Sequence, residues 1–171
     1  DESGRTIKIR FDSIGVESTD GSRRDYREML FRTRSISDYI SGVILFDETI
    51  RQDGAHGTPL AKVLTDRGMI PGIKVDKGLT TLPGSAGETV TEGLDGLLDR
   101  LAEYRALGAR FAKWRAVITI GAGIPSLNCI RTNAHALARY AALCQQAGLV
   151  PIVEPEVLMD GAHGIDRCNE V

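Results

Sequence analysis

The stretch Gly68-Met69-Ile70-Pro71-Gly72-Ile73-Lys74-Val75-Asp76 decides the fold: a glycine, a short apolar run, then two charges at alternate positions. The layout returns as Gly108-Ala109-Arg110-Phe111-Ala112-Lys113-Trp114-Arg115, and again as Gly148-Leu149-Val150-Pro151-Ile152-Val153-Glu154 with Pro155-Glu156 beyond. The three glycines fall forty residues apart. Residues i and i+2 of a strand point to one side, so Lys74 projects with Asp76, Lys113 with Arg115, and Glu154 with Glu156.

Working outward, each glycine closes an amphipathic segment and suits the left-handed cap that ends a helix. Before Gly68, Thr58 is expected to cap a helix with Pro59 at its first position. Before Gly108, Leu94, Leu97, Leu98, Leu101 and Tyr104 form an apolar stripe at helical spacing. Before Gly148, Pro125 and Ser126 start a helix whose expected inner face is Leu127, Ile130, Ala134, Leu137, Ala141 and Cys144. A further run, Gly42 to Phe46, follows a helix candidate over about Ser22 to Phe31. Helices and strands alternating with short connections imply βαβ units and a parallel sheet. An open sheet gathers its ligand at one switch point, whereas a barrel draws charged groups from many strand ends to one mouth. Charges on three successive strand ends favour the barrel. Gly84 to Thr89 lacks the spacing of a dinucleotide or P-loop motif and reads as a long loop over that mouth.

The 171 residues, 42% hydrophobic, are enough for one globular unit, and a net charge of -2 offers no footprint for nucleic acid. No apolar run is long enough for a membrane helix. Cys129, Cys144 and Cys168 have no metal-type spacing and read as packing residues of a cytoplasmic protein. His56, His135 and His163 are isolated, so no metal and no other cofactor is expected. Beginning at Asp1 and stopping in a polar segment at Val171, the sequence is expected to be an excerpt of a longer chain.

Charges in a barrel mouth are costly to desolvate unless paired. The bland reading makes them internal ion pairs: Lys74 with Asp76, Lys113 with Glu154, Arg115 with Glu156. The functional reading makes them a site for a phosphorylated keto sugar. Cations would anchor phosphate and depress a neighbouring lysine's pKa, and a carboxylate would carry protons.

Six runs in order closely resemble class I fructose-1,6-bisphosphate aldolases. They are Asp1-Glu2-Ser3, Ile40 to Phe46, Gly72 to Gly78, Glu92 to Leu97, Phe111 to Arg115, and Ile152 to Glu156. The resemblance implies an α/β fold, an eight-stranded parallel β/α (TIM) barrel. Residues 1–171 would be one partial domain, from the end of the first strand to the start of the fifth helix. It further implies metal-independent Schiff-base cleavage of fructose 1,6-bisphosphate to dihydroxyacetone phosphate and glyceraldehyde 3-phosphate, by a homotetramer. Catalytic roles fall on Asp1, Lys74, Lys113, Glu154 and Glu156, and substrate contacts on Ser3, Thr6, Arg10 and Arg115. Gly4-Arg5-Thr6 departs from the family's usual Thr-Gly-Ser, and Ile9 replaces a common lysine. The Schiff-base lysine's leucine-leucine-lysine-proline context does not occur in these residues. Another phosphosugar barrel enzyme, or a non-catalytic aldolase-like scaffold, are the other readings.

Overall fold

The forty-residue cadence is a repeated helix stop. The structure, a computed structural model, describes residues 2–171. Gly68, Gly108 and Gly148 all take positive φ, at 81°, 111° and 74°. In each case the next residue's N–H returns to the carbonyl five positions back, Met69 to Leu64, Ala109 to Tyr104 and Leu149 to Cys144. That bond defines the Schellman ending, which turns the chain sharply from helix into strand.

Helices α1 (Gly4–Asp12) and α2 (Asp20–Phe31) come first, and a 3-10 turn (Ile36–Asp38) leads into β1 (Gly42–Leu45). Helices α3 (Asp47–Arg51) and α4 (Leu60–Thr65) precede β2 (Ile70–Lys74). A hairpin of β3 (Leu79–Thr81) and β4 (Thr89–Thr91) leads to α5 (Leu97–Ala106) and β5 (Phe111–Ile118). Helix α6 (Leu127–Gln146), β6 (Val150–Val157) and α7 (Ile165–Glu170) complete the chain. The main sheet has the order β1-β2-β5-β6, and every pairing in it is parallel.

Strand parity divides this sheet into two surfaces. Leu45, Ile73, Val75, Ala112, Trp114 and Ala116 are buried in one core cluster with Leu60, Leu64, Leu97, Leu101 and Tyr140 from the helices. Trp114 lies against Tyr140 with ring centroids 5.5 Å apart. The opposite parity, Ile44, Gly72, Lys74, Phe111, Lys113, Arg115, Ile152, Glu154 and Glu156, forms the other face. Its N-terminal end is apolar: Gly42, Ile44, Ile70, Phe111, Val150 and Ile152 line a cavity of about 510 Å³. Gly72 is needed there, because a Cβ at this position would stand 2.3 Å from the Phe111 ring. One face clad in helices and one lined with side chains is the cross-section of a β/α barrel wall.

Several expectations need correction. Thr58 is not the cap of α4; Pro59 is, with extended ψ and no side-chain bond, while the Thr58 carbonyl accepts from Gly54. Leu94 precedes α5 rather than lying in it. Helix α6 starts at Ser126 as expected, its Oγ accepting from the Cys129 N–H. Its buried face is Cys129, Asn133, Ala136, Leu137, Tyr140 and Cys144, however, and Leu127 is 60% exposed. The stripe is displaced because Asn133 is buried by bonding to Thr89 O and Cys129 O, a polar residue in an apolar seam. The loop expected at Gly84 to Thr89 is the turn that joins β3 to β4, and residues 4–12, for which the sequence reading named no element, form a helix capped by Ser3.

Candidate active site

Register builds the charged end of the open face. Lys74 on β2 stands opposite Lys113 on β5, and Arg115 on β5 opposite Glu154 on β6. Each cation leans toward the C-terminal ends of the strands and finds a carboxylate. Lys74 Nζ donates to Asp76 Oδ1 at 2.5 Å and to the Asp76 carbonyl at 3.3 Å. Lys113 pairs with Glu154, and Arg115 with Glu156. The three ion pairs of the bland reading are therefore all present. They are also the groups the functional reading calls for, held side by side on three neighbouring strands. The Arg115 hydrogen bond holds the Glu156 carboxyl below the usual carboxylate range, and Glu156 in turn raises the guanidinium's pKa.

The backbone under these groups is fixed by residues the sequence reading did not single out. Arg100 donates to Val75 O at 3.0 Å and to Gly93 O at 2.5 Å, tying the end of β2 to the start of the α5 segment. Thr91 Oγ donates to Arg115 O at 2.7 Å, so the hairpin holds β5 at the level of the site. Glu88, buried in the hairpin turn, accepts the Ser126 N–H and O–H at 2.6 Å each and so anchors the head of α6. These hydrogen bonds hold its carboxyl below the usual range against the pull of burial. A charged residue immediately before a Thr-Val-Thr strand carries no local mark of that duty; only its partner 38 residues on reveals it.

Beside β2 lies a second concavity, a cavity of about 710 Å³ lined by Ser3, Arg5, Asp47, Arg51, Lys74, Asp76, Lys77 and Arg100 among others. Ser3 thus shares a cavity with Lys74. Thr6 and Arg10 are not on its lining: Thr6 Oγ is 3.1 Å from Ser3 Oγ, and Arg10 is held by Glu2 at 2.5 Å. Arg5 and Lys77, which sequence reasoning passed over, bring cationic side chains to this cavity. Asp1 lies outside the described residues. The chain leading from it is clamped, since Arg27 donates to Glu2 O at 3.3 Å and to Glu48 at 2.7 Å. Among the described residues no three or more His, Cys, Asp or Glu are grouped to hold a metal ion, and no helix is long and apolar enough to cross a membrane.

Cations flanking carboxylates at the strand ends can bind a phosphorylated polyol and exchange protons with it. Comparison with known proteins agrees. The chain is 66% identical over 171 residues to the probable fructose-bisphosphate aldolase class 1 of Xanthomonas campestris pv. campestris, covering 51% of its length. It is 57% identical to the cytoplasmic isozyme of fructose-bisphosphate aldolase from Spinacia oleracea, covering 48%. The chain thus spans about half the length of these curated relatives. Among solved structures, the fructose-bisphosphate aldolase of Plasmodium falciparum, crystallised with TRAP and a small-molecule inhibitor, superposes with a TM-score of 0.95 at 51% identity. That match covers 98% of this chain and 49% of the other, so the parallel α/β architecture is that of half an aldolase barrel. The sequence model of the family described as fructose-bisphosphate aldolase class-I matches residues 1–171, and the chain belongs to that family.

Proposed function

We propose that the complete polypeptide is a cytoplasmic class I aldolase that cleaves fructose 1,6-bisphosphate to dihydroxyacetone phosphate and glyceraldehyde 3-phosphate, in glycolysis and gluconeogenesis. Residues 1–171 contribute the barrel from the end of its first strand to the start of its fifth helix, and the enzyme works as a homotetramer. The observation that carries this reading is the row of charges on one face: Lys74 with Asp76, Lys113 with Glu154, Arg115 with Glu156.

In this reading the Schiff-base lysine comes from beyond Val171. Lys113 polarises hydroxyls while the carbinolamine forms, and Glu154 is the acid and base of that step. The Lys113–Glu154 ion pair supports both roles, since an ammonium next to a carboxylate can trade a proton through a shared ligand hydroxyl. Glu156 positions the cationic group, and Arg115 contacts substrate. Asp1 assists carbon–carbon cleavage through the C4 hydroxyl, with Lys74 close by. Ser3, Thr6 and Arg10 serve the sugar phosphate; Ser3 does so from the cavity that Lys74 lines.

The test is borohydride reduction of the complete protein with dihydroxyacetone phosphate, alongside cleavage assays in excess chelator. Permanent inactivation with a covalent three-carbon adduct, and cleavage undiminished by chelator, are expected. Absence of the adduct, or dependence of cleavage on a divalent metal, overturns the proposal.

A further inference from the structure

The cations of the open face are all paired, but two carboxylates there keep a buried oxygen without a hydrogen bond: Glu154 Oε2, which meets Lys113 as an ion pair, and Asp76 Oδ2, which meets no cation. Asp76 Oδ1 accepts from Lys74 and from the Gly78 N–H, while Asp76 Oδ2 is buried with no hydrogen-bond partner. The side chain is 5% exposed, so water does not relieve the missing bond. A buried carboxylate oxygen without a donor is unfavourable, and such an atom next to a reacting site calls for an account.

Register supplies one. Lys113 stands opposite Ile152 on β6 and pairs with Glu154, two residues further along. On its other flank Lys113 stands opposite Lys74 on β2, and two residues further along is Asp76. Lys113 therefore sits between two carboxylates each two residues further along its neighbour, Glu154 within β6 and ion-paired to it, Asp76 just past the end of β2 with Oδ2 vacant. With strands ~4.8 Å apart and a rise of ~3.3 Å per residue, the Lys113 and Asp76 Cα atoms lie ~8 Å apart, within the combined reach of the two side chains. Lys74 and Arg115, the other cations of this face, are occupied by Asp76 Oδ1 and Glu156, and Arg5, Arg51, Lys77 and Arg100 line the neighbouring cavity that Asp76 shares.

We propose that Asp76 is a positioning residue for the aldolase reaction, the alternate counter-ion that receives the Lys113 ammonium on Oδ2 whenever Glu154 leaves it. This rests on the proposed function, in which Glu154 takes up and gives out a proton. A protonated Glu154 no longer balances Lys113, whose side chain is only 17% exposed. Without a second anion Lys113 would swing away at the step that needs it. With Asp76 beside it, the ammonium moves a short distance between two fixed acceptors and stays in the site.

The experiment is a pair of crystal structures of the complete protein, Glu154→Ala and Glu154→Gln, the second serving if the first does not fold. Lys113 Nζ is expected within hydrogen-bond distance of Asp76 Oδ2; any other position for it in the variant solved overturns the inference. These structures read the same whether or not the protein cleaves its substrate, so failure of the inference and failure of the aldolase reading are separately visible. Kinetics supply the second arm. Asp76→Asn is expected to lower kcat about tenfold with little change in KM, and Asp76→Glu to recover part of the loss. In a Lys113→Met background Asp76→Asn should add less than about twofold, since the two residues act as one unit. Losses that multiply independently would show Asp76 acting through Lys74 or the fold alone, and would overturn the inference.

Discussion

Glu48 is the group whose titration should dominate the acid stability of the N-terminal segment. It sits on α3 and faces α2, where it pairs with Arg23 and with Arg27, the latter at 2.7 Å. Arg27 is 1% exposed and also holds Gln52 and Glu2 O, so the network joins α2, α3 and the chain leading from Asp1. The hydrogen bond from Arg23, with the charge and hydrogen bond of Arg27, draws the Glu48 carboxyl from an ordinary 4.5 to about 2. A carboxyl more acidic folded than unfolded stabilises the fold fully above pH 4.5 and loses that contribution as pH falls toward 2. The shift corresponds to at most ~3 kcal/mol at neutral pH, from ~1.4 kcal/mol per pKa unit. At pH 3 roughly half should remain. Glu48→Gln keeps the shape and removes the titration, taking this carboxylate's charge away from Arg23 and the buried Arg27. The complete wild-type and variant proteins should be unfolded in denaturant from pH 7 to pH 3. A gap of ~2–3 kcal/mol is expected at pH 7, narrowing steadily below pH 4.5. A gap independent of pH, or no gap at pH 7, refutes the assignment.

The remaining predictions concern the sheet and the site. Gly72→Ala should destabilise the complete protein by ~1–3 kcal/mol through collision with the Phe111 ring, and Gly72→Ala combined with Phe111→Leu should recover much of it in thermal or denaturant unfolding. Glu88→Ala removes both acceptors of Ser126 and should cost ~1–3 kcal/mol, with faster amide exchange in the first turn of α6. Lys113→Met in the complete chain should lower cleavage by ~10²–10⁴-fold while leaving the denaturation midpoint within ~1 kcal/mol. Residues 1–171 alone leave β1 and β6 as bare parallel edges and should aggregate or stay molten; a cooperative, soluble monomer with native near-ultraviolet dichroism would contradict this.

Much of the main sheet was legible because each strand carries two signals at once, an apolar run and a glycine stop. Gly68, Gly108 and Gly148 mark the sheet's rhythm since only glycine takes the left-handed turn without strain. Lys74, Lys113, Arg115, Glu154 and Glu156 were found together because parity and register are fixed once the strands are known. What escaped the reading depends on partners distant in sequence. Asn133 lies in an apolar seam with its amide N–H bonded to Thr89 O, and Glu88 is buried against a helix that begins much later; each breaks a local pattern for a bond no window contains. Helix α1 was not anticipated because its sequence, Gly-Arg-Thr-Ile-Lys-Ile-Arg-Phe-Asp, opens on glycine and buries only Ile7 and Phe11. Strands β3 and β4 are too short, at three residues each, for alternation to show.

The alternation within β5 has an evolutionary consequence. Ala112, Trp114 and Ala116 belong to the wall, while Lys113 and Arg115 belong to the mouth, and neighbours on the chain answer to different selective demands. A lineage could exchange the chemistry rung by rung, re-tuning which sugar or which proton is handled, while the adjacent rungs keep the scaffold standing. Stability and reactivity are thus inherited on separate sides of one ribbon.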